Sequence, residues 1–127
     1  MKYNLLVCED DPMTLKAIEH RLKRDGYNIV TAIDGQQAKE ILTGNSNIDI
    51  ILTDIHMPQV TGLELVKYVR NDLKLTVPIV ILTRIGLEDT VMEAFQLGAD
   101  DYITKPFNPE DLSLRIKKQL LRVGKEM

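Results

Sequence analysis

Residues 47–54 read Asn-Ile-Asp-Ile-Ile-Leu-Thr-Asp, a short run with apolar residues at consecutive positions. A strand that buries one face alternates apolar and polar residues, whereas consecutive apolar residues indicate a strand buried on both faces, as in a parallel sheet. Four other runs of strand length occur along the chain. The predicted strands are Asn4–Cys8, Asn28–Ala32, Asp49–Thr53, Pro78–Leu82 and Asp101–Ile103.

The segments between these runs carry apolar residues three or four positions apart, which is the spacing of one helix face. Gly26, Gly44 and Gly98 stand where the helices should end, and Thr61 and Asn108 stand where N-caps are expected. The five apolar stripes are Leu15, Ile18 and Leu22; Ala38, Ile41 and Leu42; Leu63, Val66, Val69 and Leu73; Val91, Ala94 and Phe95; and Leu112, Ile116 and Leu120.

The alternation of strands and helices predicts an α/β fold, a doubly wound parallel sheet with helices on both faces. Because crossovers between parallel strands are right-handed, the economical arrangement is a flavodoxin-like (βα)5 sheet with strand order 2-1-3-4-5. Ligands of such sheets bind beyond the carboxyl ends of the strands, at the switch point between the first and third strands. Residues that follow those two strands are therefore candidates for a functional site.

The composition is that of one ordinary globular domain. The chain has 127 residues, of which 44% are hydrophobic and 28% are charged. This balance excludes a disordered chain and a membrane-embedded one. We expect the domain to cover residues 1–122, and the polar segment 123–127 to be a tail or the start of a linker.

A cytoplasmic location is expected, because the apolar runs are too short to span a membrane and the N-terminus lacks the features of a signal peptide. The net charge of -3 argues against nucleic-acid binding by this domain itself. The single cysteine, Cys8, lies in an apolar run and is predicted to be buried rather than reactive.

Acidic residues follow two predicted neighbouring strands. Glu9, Asp10 and Asp11 follow the first strand, and Asp54 follows the third. Carboxylates at one edge of a sheet repel each other and have raised pKa values unless a cation lies between them, and hard oxygen ligands suit Mg²⁺. Either cluster alone would also fit ordinary turn or helix-cap residues.

Two groups that suit phosphoryl chemistry are expected at the same edge. Thr83 follows the fourth strand, and Lys105, with Pro106 after it, follows the fifth. A transferred phosphoryl group carries its charge on equatorial oxygens, which a hydroxyl donor and an ammonium group stabilise. Taken singly, a Thr that ends a strand is usually structural and a Lys before a turn is usually solvated. The prediction rests on their convergence.

Together these residues resemble the receiver domain of two-component response regulators, over about Lys2 to Arg122. The resemblance implies a phosphorylation-dependent signalling switch. Such a phosphoacceptor domain is not an enzyme, although it assists its own phosphoryl transfer and dephosphorylation. The matching motifs are Val7-Cys8-Glu9-Asp10; Asp54-Ile55-His56-Met57-Pro58, followed by Gly62; Thr83; and Asp101-Tyr102-Ile103-Thr104-Lys105-Pro106-Phe107.

The resemblance also implies a role for each site residue. Asp54 would be the nucleophile that forms an aspartyl phosphate and would also be a ligand of Mg²⁺. Asp10 would bind the metal directly, Glu9 mainly through water, and His56 through its backbone carbonyl. Lys105 would pair with the phosphoryl oxygens.

The switch implied by the resemblance involves Thr83 and Tyr102. Phosphorylation adds about 1.5 to 2 negative charges. The Thr83 hydroxyl would move toward the phosphoryl group, and Tyr102 would turn inward, which changes the surface of the fourth helix, fifth strand and fifth helix. The peptide bond before Pro106 would be cis, and Asp11 would be a helix cap.

The phosphoryl group would come from a sensor histidine kinase, a phosphotransfer protein or a small phosphodonor. Residues 98–102 and Arg115 resemble the winged-helix (OmpR/PhoB-type) subfamily, whose receivers form homodimers through the fourth helix, fifth strand and fifth helix. Asp101 and Arg115 would then pair across a two-fold axis. Val91 departs from the subfamily, which usually has a basic residue there facing an acid such as Asp111.

Two further residues near the phosphoacceptor require interpretation. Arg84 follows Thr83, where receivers often have a small residue; it could gate access to Asp54 or contact the phosphoryl group, but a position in solvent is favoured. The His56 side chain would influence attack by water but is not a metal ligand, because no second His or Cys accompanies it. His20 is expected on the surface.

Two other functions fit part of the pattern. A Mg²⁺-dependent phosphohydrolase of the haloacid-dehalogenase type also uses a strand-end Asp, but it carries a second Asp two residues later, where this chain has His56. A receiver-like binding module that is never phosphorylated would lack one or more of Asp10, Asp54, Thr83 and Lys105. The sequence leaves open whether a C-terminal DNA-binding domain belongs to the same protein.

Overall fold

The computed structural model describes residues 2–44 and 47–122, and within them it contains five strands joined by parallel pairings. The segment 123–127, predicted to be a tail, lies outside the described residues. The strands are β1 (Asn4–Cys8), β2 (Asn28–Ala32), β3 (Ile50–Asp54), β4 (Ile79–Arg84) and β5 (Asp101–Lys105).

Five α-helices follow the strands in the described part of the chain. The third continues directly into a π-helical segment, Tyr68–Asp72, so the predicted stripe from Leu63 to Leu73 is carried by two kinds of helix. The helices are α1 (Pro12–Arg24), α2 (Gly35–Gly44), α3 (Gly62–Lys67), α4 (Glu88–Leu97) and α5 (Pro109–Arg122).

The strand order is β2-β1-β3-β4-β5, which confirms the predicted doubly wound α/β fold. Strand β1 lies between β2 and β3, with Leu5 in register with Ile29 on one side and Ile50 on the other. The order of strands therefore reverses at β1. The predicted switch point lies between the carboxyl ends of β1 and β3.

Each face of the sheet is covered by an apolar layer. Because successive strand side chains point to opposite faces, Leu5 and Val7 pack with α1 and α5, whereas Leu6 and Cys8 pack with α2, α3 and α4. Cys8 is fully buried, as predicted, and this burial raises the pKa of its thiol to about 12. The predicted helix stripes supply most of the core side chains that come from helices.

Three of the helices start at side-chain caps. Asp11 caps α1, where its carboxylate accepts from the backbone N–H of Thr14 at 3.0 Å. Thr61 and Glu64 form a reciprocal capping box at the start of α3, and Asn108 accepts from backbone N–H groups at the start of α5. The predicted caps are confirmed at all three positions.

Strands β3, β4 and β5 end at Asp54, Arg84 and Lys105, one or two residues later than predicted. The prediction ended each strand where the apolar residues end. Main-chain pairing does not depend on side-chain polarity, and the sheet hydrogen bonds continue to the N–H of Ile55, which donates to Leu82 O at 3.1 Å. The candidates Asp54, Thr83 and Lys105 are thus held by strands of the sheet rather than by loops.

Gly62 allows the loop after β3 to fold back onto that strand. Its N–H donates to Ile55 O at 2.8 Å, and a Cβ atom at this position would lie 2.2 Å from Asp54 O. No side chain larger than hydrogen fits without moving the backbone that carries Asp54. None of the described helices is long and apolar enough to cross a membrane.

We expect Gly62→Ala to lower the free energy of unfolding by about 1 to 3 kcal/mol, because the added methyl group overlaps the backbone of Asp54. The matched control is Gly44→Ala in α2, where a Cβ atom would have nothing within 4 Å. The control should be neutral, or stabilising by up to about 1 kcal/mol. Urea unfolding of the two variants measures the difference, and equal stabilities would contradict the close approach.

Candidate functional site

The acidic candidates converge at the switch point. Glu9 follows β1, and Asp54 is the last residue of β3, so the two strands deliver them to the same edge of the sheet. Ligand oxygens of Glu9, Asp10 and Asp54 lie within 4.8 Å of one another. Asp10 is exposed, Asp54 is 7% exposed and Glu9 is 0% exposed. The site is therefore open to solvent at Asp10 and buried at Asp54 and Glu9.

Lys105 joins this acidic cluster from β5. Its Nζ atom lies 2.8 Å from Asp54 Oδ2 and 2.5 Å from Glu9 Oε1. The second Glu9 oxygen, Oε2, accepts from the N–H of Asp11 at 3.2 Å. Lys105 is thus the protein's own counterion for two carboxylates, and the peptide bond between Lys105 and Pro106 is cis, as the resemblance implied.

Burial and ion pairing act in opposite directions on the pKa values of Glu9 and Lys105, and a different one prevails at each residue. Burial raises the pKa of Glu9 to about 7, although the hydrogen bond from Lys105 acts in the opposite direction. Burial would lower the pKa of Lys105, but its bonds to Asp54 and Glu9 outweigh burial and raise it. The negative charge of Asp54 adds to the effect of burial on the Glu9 pKa but is the smaller of the two causes.

The donor set fits a hard divalent cation. Three carboxylates within 4.8 Å supply hard oxygen ligands, and the exposed side of Asp10 leaves room for water. The buried Glu9 has one ammonium partner for a cluster of three acids, so the cluster retains excess negative charge. Glu9, Asp10 and Asp54 are the described residues that could hold a metal ion together.

The main chain of His56 belongs to the site, whereas its side chain is exposed. The His56 N–H donates to Asp54 Oδ1 at 3.3 Å, so both oxygens of the phosphoacceptor candidate have a partner. Participation of its backbone carbonyl in metal binding remains a prediction. His20 is exposed on α1, as expected.

Thr83 and Arg84 end β4 beside the cluster. Thr83 is 3% exposed, and its hydroxyl makes a long bond of 3.4 Å to Arg84 O. The Arg84 side chain is exposed, in agreement with the favoured position in solvent. Both residues line a cavity of about 270 Å³ with Val91, Phe95 and Tyr102.

Tyr102 borders that cavity from the surface of the domain. The residue is 39% exposed, and its ring makes an edge contact with Phe95, with ring centroids 6.1 Å apart. The guanidinium of Arg115 lies 5.7 Å from the Tyr102 ring centroid. This is the outward arrangement, which leaves space between Thr83 and α4.

Asp101 and Arg115 pair within one chain. Arg115 Nη1 lies 2.7 Å from Asp101 Oδ1, and the same guanidinium also contacts Asp111. The expected pair across a two-fold axis would therefore require these groups to change partners. Val91 is 8% exposed and packs in the core, which explains why this position does not hold a basic residue facing Asp111.

A second polar cluster, at the opposite edge of the sheet, was not predicted. Arg70 donates to the carbonyls of Gly98 and Leu75, at 3.0 and 2.8 Å, and pairs with Asp100 at 2.9 Å. Asp100 also binds Arg122 of α5. The sequence shows these charged residues but not their pairing, because Asp100 lies 30 residues from Arg70 and 22 residues from Arg122.

The fold and the site define a doubly wound α/β domain with three carboxylates and a lysine at its topological switch point. Comparison with known proteins narrows this class. Residues 5–117 match the model of the response regulator receiver domain, and the chain belongs to that family. Domains of this family are regulatory rather than classical enzymes, and their partners are histidine kinases or phosphotransfer proteins.

Curated relatives include two bacterial regulators. The chain is 37% identical to response regulator SaeR of Staphylococcus epidermidis over 122 residues, which are 96% of this chain and 52% of that protein. It is 35% identical to the alkaline phosphatase synthesis transcriptional regulatory protein PhoP of Bacillus subtilis, over 96% of this chain and 50% of that protein. The chain thus spans about half the length of these relatives.

Solved structures agree with the fold. A putative response regulator from Chloroflexus aurantiacus has a TM-score of 0.89 at 33% identity, covering 95% of this chain and 99% of that chain. Chemotaxis response regulator CheY4 of Vibrio cholerae has a TM-score of 0.88 at 31% identity, covering 94% and 100% of the two chains. The predicted flavodoxin-like class is therefore confirmed.

Because Lys105 occupies the acidic cluster as a counterion, its removal should strengthen binding of a divalent cation. We expect Lys105→Gln to bind Mg²⁺ at least about fivefold more tightly, since even in water two unit charges 4 Å apart interact by about 1 kcal/mol. Calorimetric titration at a pH about one unit above the pKa of Glu9 measures this. Lys117→Gln on α5, also a loss of one ammonium, is the control; equal affinities would contradict the counterion role.

Proposed function

We propose that this domain is a phosphorylation-dependent switch of a two-component system, with Asp54 as the phosphoacceptor. The observation that carries the proposal is the contact of Lys105 Nζ with Asp54 Oδ2 at 2.8 Å, beside the acidic cluster. An ammonium group beside a carboxylate nucleophile is placed to bind the oxygens of the phosphoryl group that the nucleophile attacks. Family membership supports the same chemistry.

In the proposed reaction, an Asp54 oxygen attacks the phosphorus of the donor, and the bond from phosphorus to the leaving group breaks. With acetyl phosphate the products are aspartyl phosphate and acetate, and no proton is gained or lost by Asp54. Lys105 binds the phosphoryl oxygens, and the His56 N–H orients the carboxylate. We propose Mg²⁺ as the metal; when held by Asp10, Asp54, the His56 carbonyl and, through water, Glu9, it offsets charge on those oxygens.

The switch follows from the charge that the phosphoryl group adds. Among the described residues the hydroxyl of Thr83 makes one long bond, to Arg84 O, so a phosphoryl oxygen offers it a better acceptor. Movement of Thr83 enlarges the adjoining cavity, into which Tyr102 can turn from its outward position. The surface formed by α4, β5 and α5 would change as a result.

The proposed phosphoryl source is a sensor histidine kinase or a phosphotransfer protein, and the proposed location is the cytoplasm. We further propose that this domain itself does not bind nucleic acid, which its net charge of -3 supports. PhoP of Bacillus subtilis is a transcriptional regulatory protein, and we propose that any DNA contact needed for such regulation lies outside the residues that match this domain.

The two alternative functions are less well supported. A phosphohydrolase of the haloacid-dehalogenase type would need a general acid two residues after Asp54, and His56 at that position has an exposed side chain. A module that is never phosphorylated would have no use for the Lys105 contact with Asp54.

We expect one phosphoryl adduct on the wild-type protein after incubation with Mg²⁺ and acetyl phosphate, and none after Asp54→Asn, because the amide is not a nucleophile. Intact-protein mass spectrometry measures both. Glu40→Gln, which removes an exposed carboxylate from α2, should keep the adduct. The absence of an adduct on the wild type, or an equal adduct on Asp54→Asn, would overturn the proposed function.

We also propose that the surface formed by α4, β5 and α5 mediates homodimer formation when Asp54 is phosphorylated. Ile85 and Met92 are 82% and 57% exposed on one side of this surface, beside the outward Tyr102. Exposed apolar side chains of this size are typical of interaction surfaces. The pairs formed by Asp101 and Arg115 in one chain would exchange partners in the dimer.

Light scattering coupled to size-exclusion chromatography tests the homodimer. Addition of beryllofluoride and Mg²⁺ should double the mass of the wild-type protein, and Met92→Glu should prevent the increase because it buries a charge in the interface. Ile33→Glu, at an exposed apolar position after β2, is the control and should still dimerise. A strictly monomeric wild type at high concentration would rule out this interface.

A further inference from the structure

Arg84 is an exposed cation at the edge of the sheet that carries the site. It is the last residue of β4, and its Cα is in register with that of Lys105 on β5. Its guanidinium forms no ion pair within residues 2–44 and 47–122. A full positive charge is therefore available beside the site.

The register of the sheet places Arg84 on the same face as the reacting groups. Asp54 is in register with Leu82, and Arg84 lies two residues further along the same strand, so both share the face of Asp54. Lys105, in register with Arg84, shares it too, and its Nζ contacts Asp54 at 2.8 Å. Since β4 lies between β3 and β5, the Cα of Arg84 lies one strand spacing, about 4.8 Å, from that of Lys105, and it lies one strand across and two residues further along from that of Asp54.

The negative charge of the acidic cluster disfavours the approach of an anionic donor, so a second cation besides Lys105 would assist donor binding. Three acidic side chains face one ammonium, which leaves excess negative charge before an anionic phosphodonor approaches. A divalent cation cancels this excess but not the charge of the donor itself. Lys105 already has two carboxylate partners. The guanidinium of Arg84 has no carboxylate partner in the part of the chain that the structure describes, and its planar fork matches two phosphoryl oxygens.

We propose that Arg84 is a phosphodonor-binding residue, which pairs with the phosphoryl oxygens of the incoming donor and selects donors of higher negative charge. This inference rests on the proposed function of Asp54. Acetyl phosphate, whose phosphoryl group is fully ionised at neutral pH, gains from the pairing. Phosphoramidate gains less, because its protonated amino group offsets part of its negative charge.

Phosphorylation rates of Arg84→Gln and Arg84→Lys test the proposal, with both donors, Mg²⁺ and intact-protein mass spectrometry. We expect Arg84→Gln to react with acetyl phosphate on the order of fivefold more slowly, the effect of one unit charge at about 4 Å in water. The loss should be smaller with phosphoramidate, and it should disappear at about 1 M salt, where the Debye length is about 3 Å. Arg84→Lys keeps the charge but not the fork, so its rate should lie between those of the wild type and Arg84→Gln.

A matched control removes the same charge at the opposite edge of the sheet. Arg24→Gln, in the last turn of α1, should keep the wild-type rate with both donors. A second readout does not depend on turnover. The affinity of the Mg²⁺-loaded protein for beryllofluoride, followed by NMR, should fall in Arg84→Gln and stay unchanged in Arg24→Gln.

The outcomes separate this inference from the function on which it rests. A wild type that takes no phosphoryl group would overturn the proposed function. Equal rates for wild type and Arg84→Gln at low salt would overturn the role of Arg84 alone, as would a faster Arg84→Gln, which would make the side chain a gate. An equal loss with both donors that persists at high salt would also overturn it.

Discussion

The contact of Lys105 with Asp54 and Glu9 is the interaction on which the rest of the site depends. It exists because β1, β3 and β5 deliver their carboxyl ends to one edge of the sheet. Burying Glu9 without a partner would cost several kcal/mol, so the lysine is needed to hold the acidic cluster together. Lys105 neutralises only part of the negative charge of the cluster. A divalent cation can therefore bind there, and Lys105 can then pair with a phosphoryl group.

The two edges of the sheet have different physical characters. At the carboxyl edge, charges are unequal and Thr83 has a weak hydrogen-bond partner, so a small change in charge can rearrange them. At the amino edge, Arg70 makes three bonds and ties the end of α4 to the loop before β4. The proposed switch would therefore act on the start of α4, whereas the Arg70 bond to Gly98 holds the end of α4.

Much of this arrangement could be predicted from the sequence. Consecutive apolar residues such as Ile50-Ile51-Leu52 identify buried parallel strands, and the strand order follows from the handedness of crossovers. Convergence of Glu9, Asp10 and Asp54 then follows from topology alone. The strand ends were placed too early, since main-chain pairing continues through polar residues such as Lys105. The pairing of Arg70 with Asp100 could not be found, because it depends on contacts between distant segments.

The pairing of Asp101 with Arg115 bears on the proposed dimer. The resemblance implied that these residues pair across a two-fold axis, which stays a prediction, and within one chain they lie 2.7 Å apart. Both groups are satisfied in the monomer, since Asp101 also accepts from Gln119. A dimer that uses these charges therefore gains little from them, because each new ion pair replaces an existing one. Its stability would have to come from burial of apolar side chains such as Ile85 and Met92.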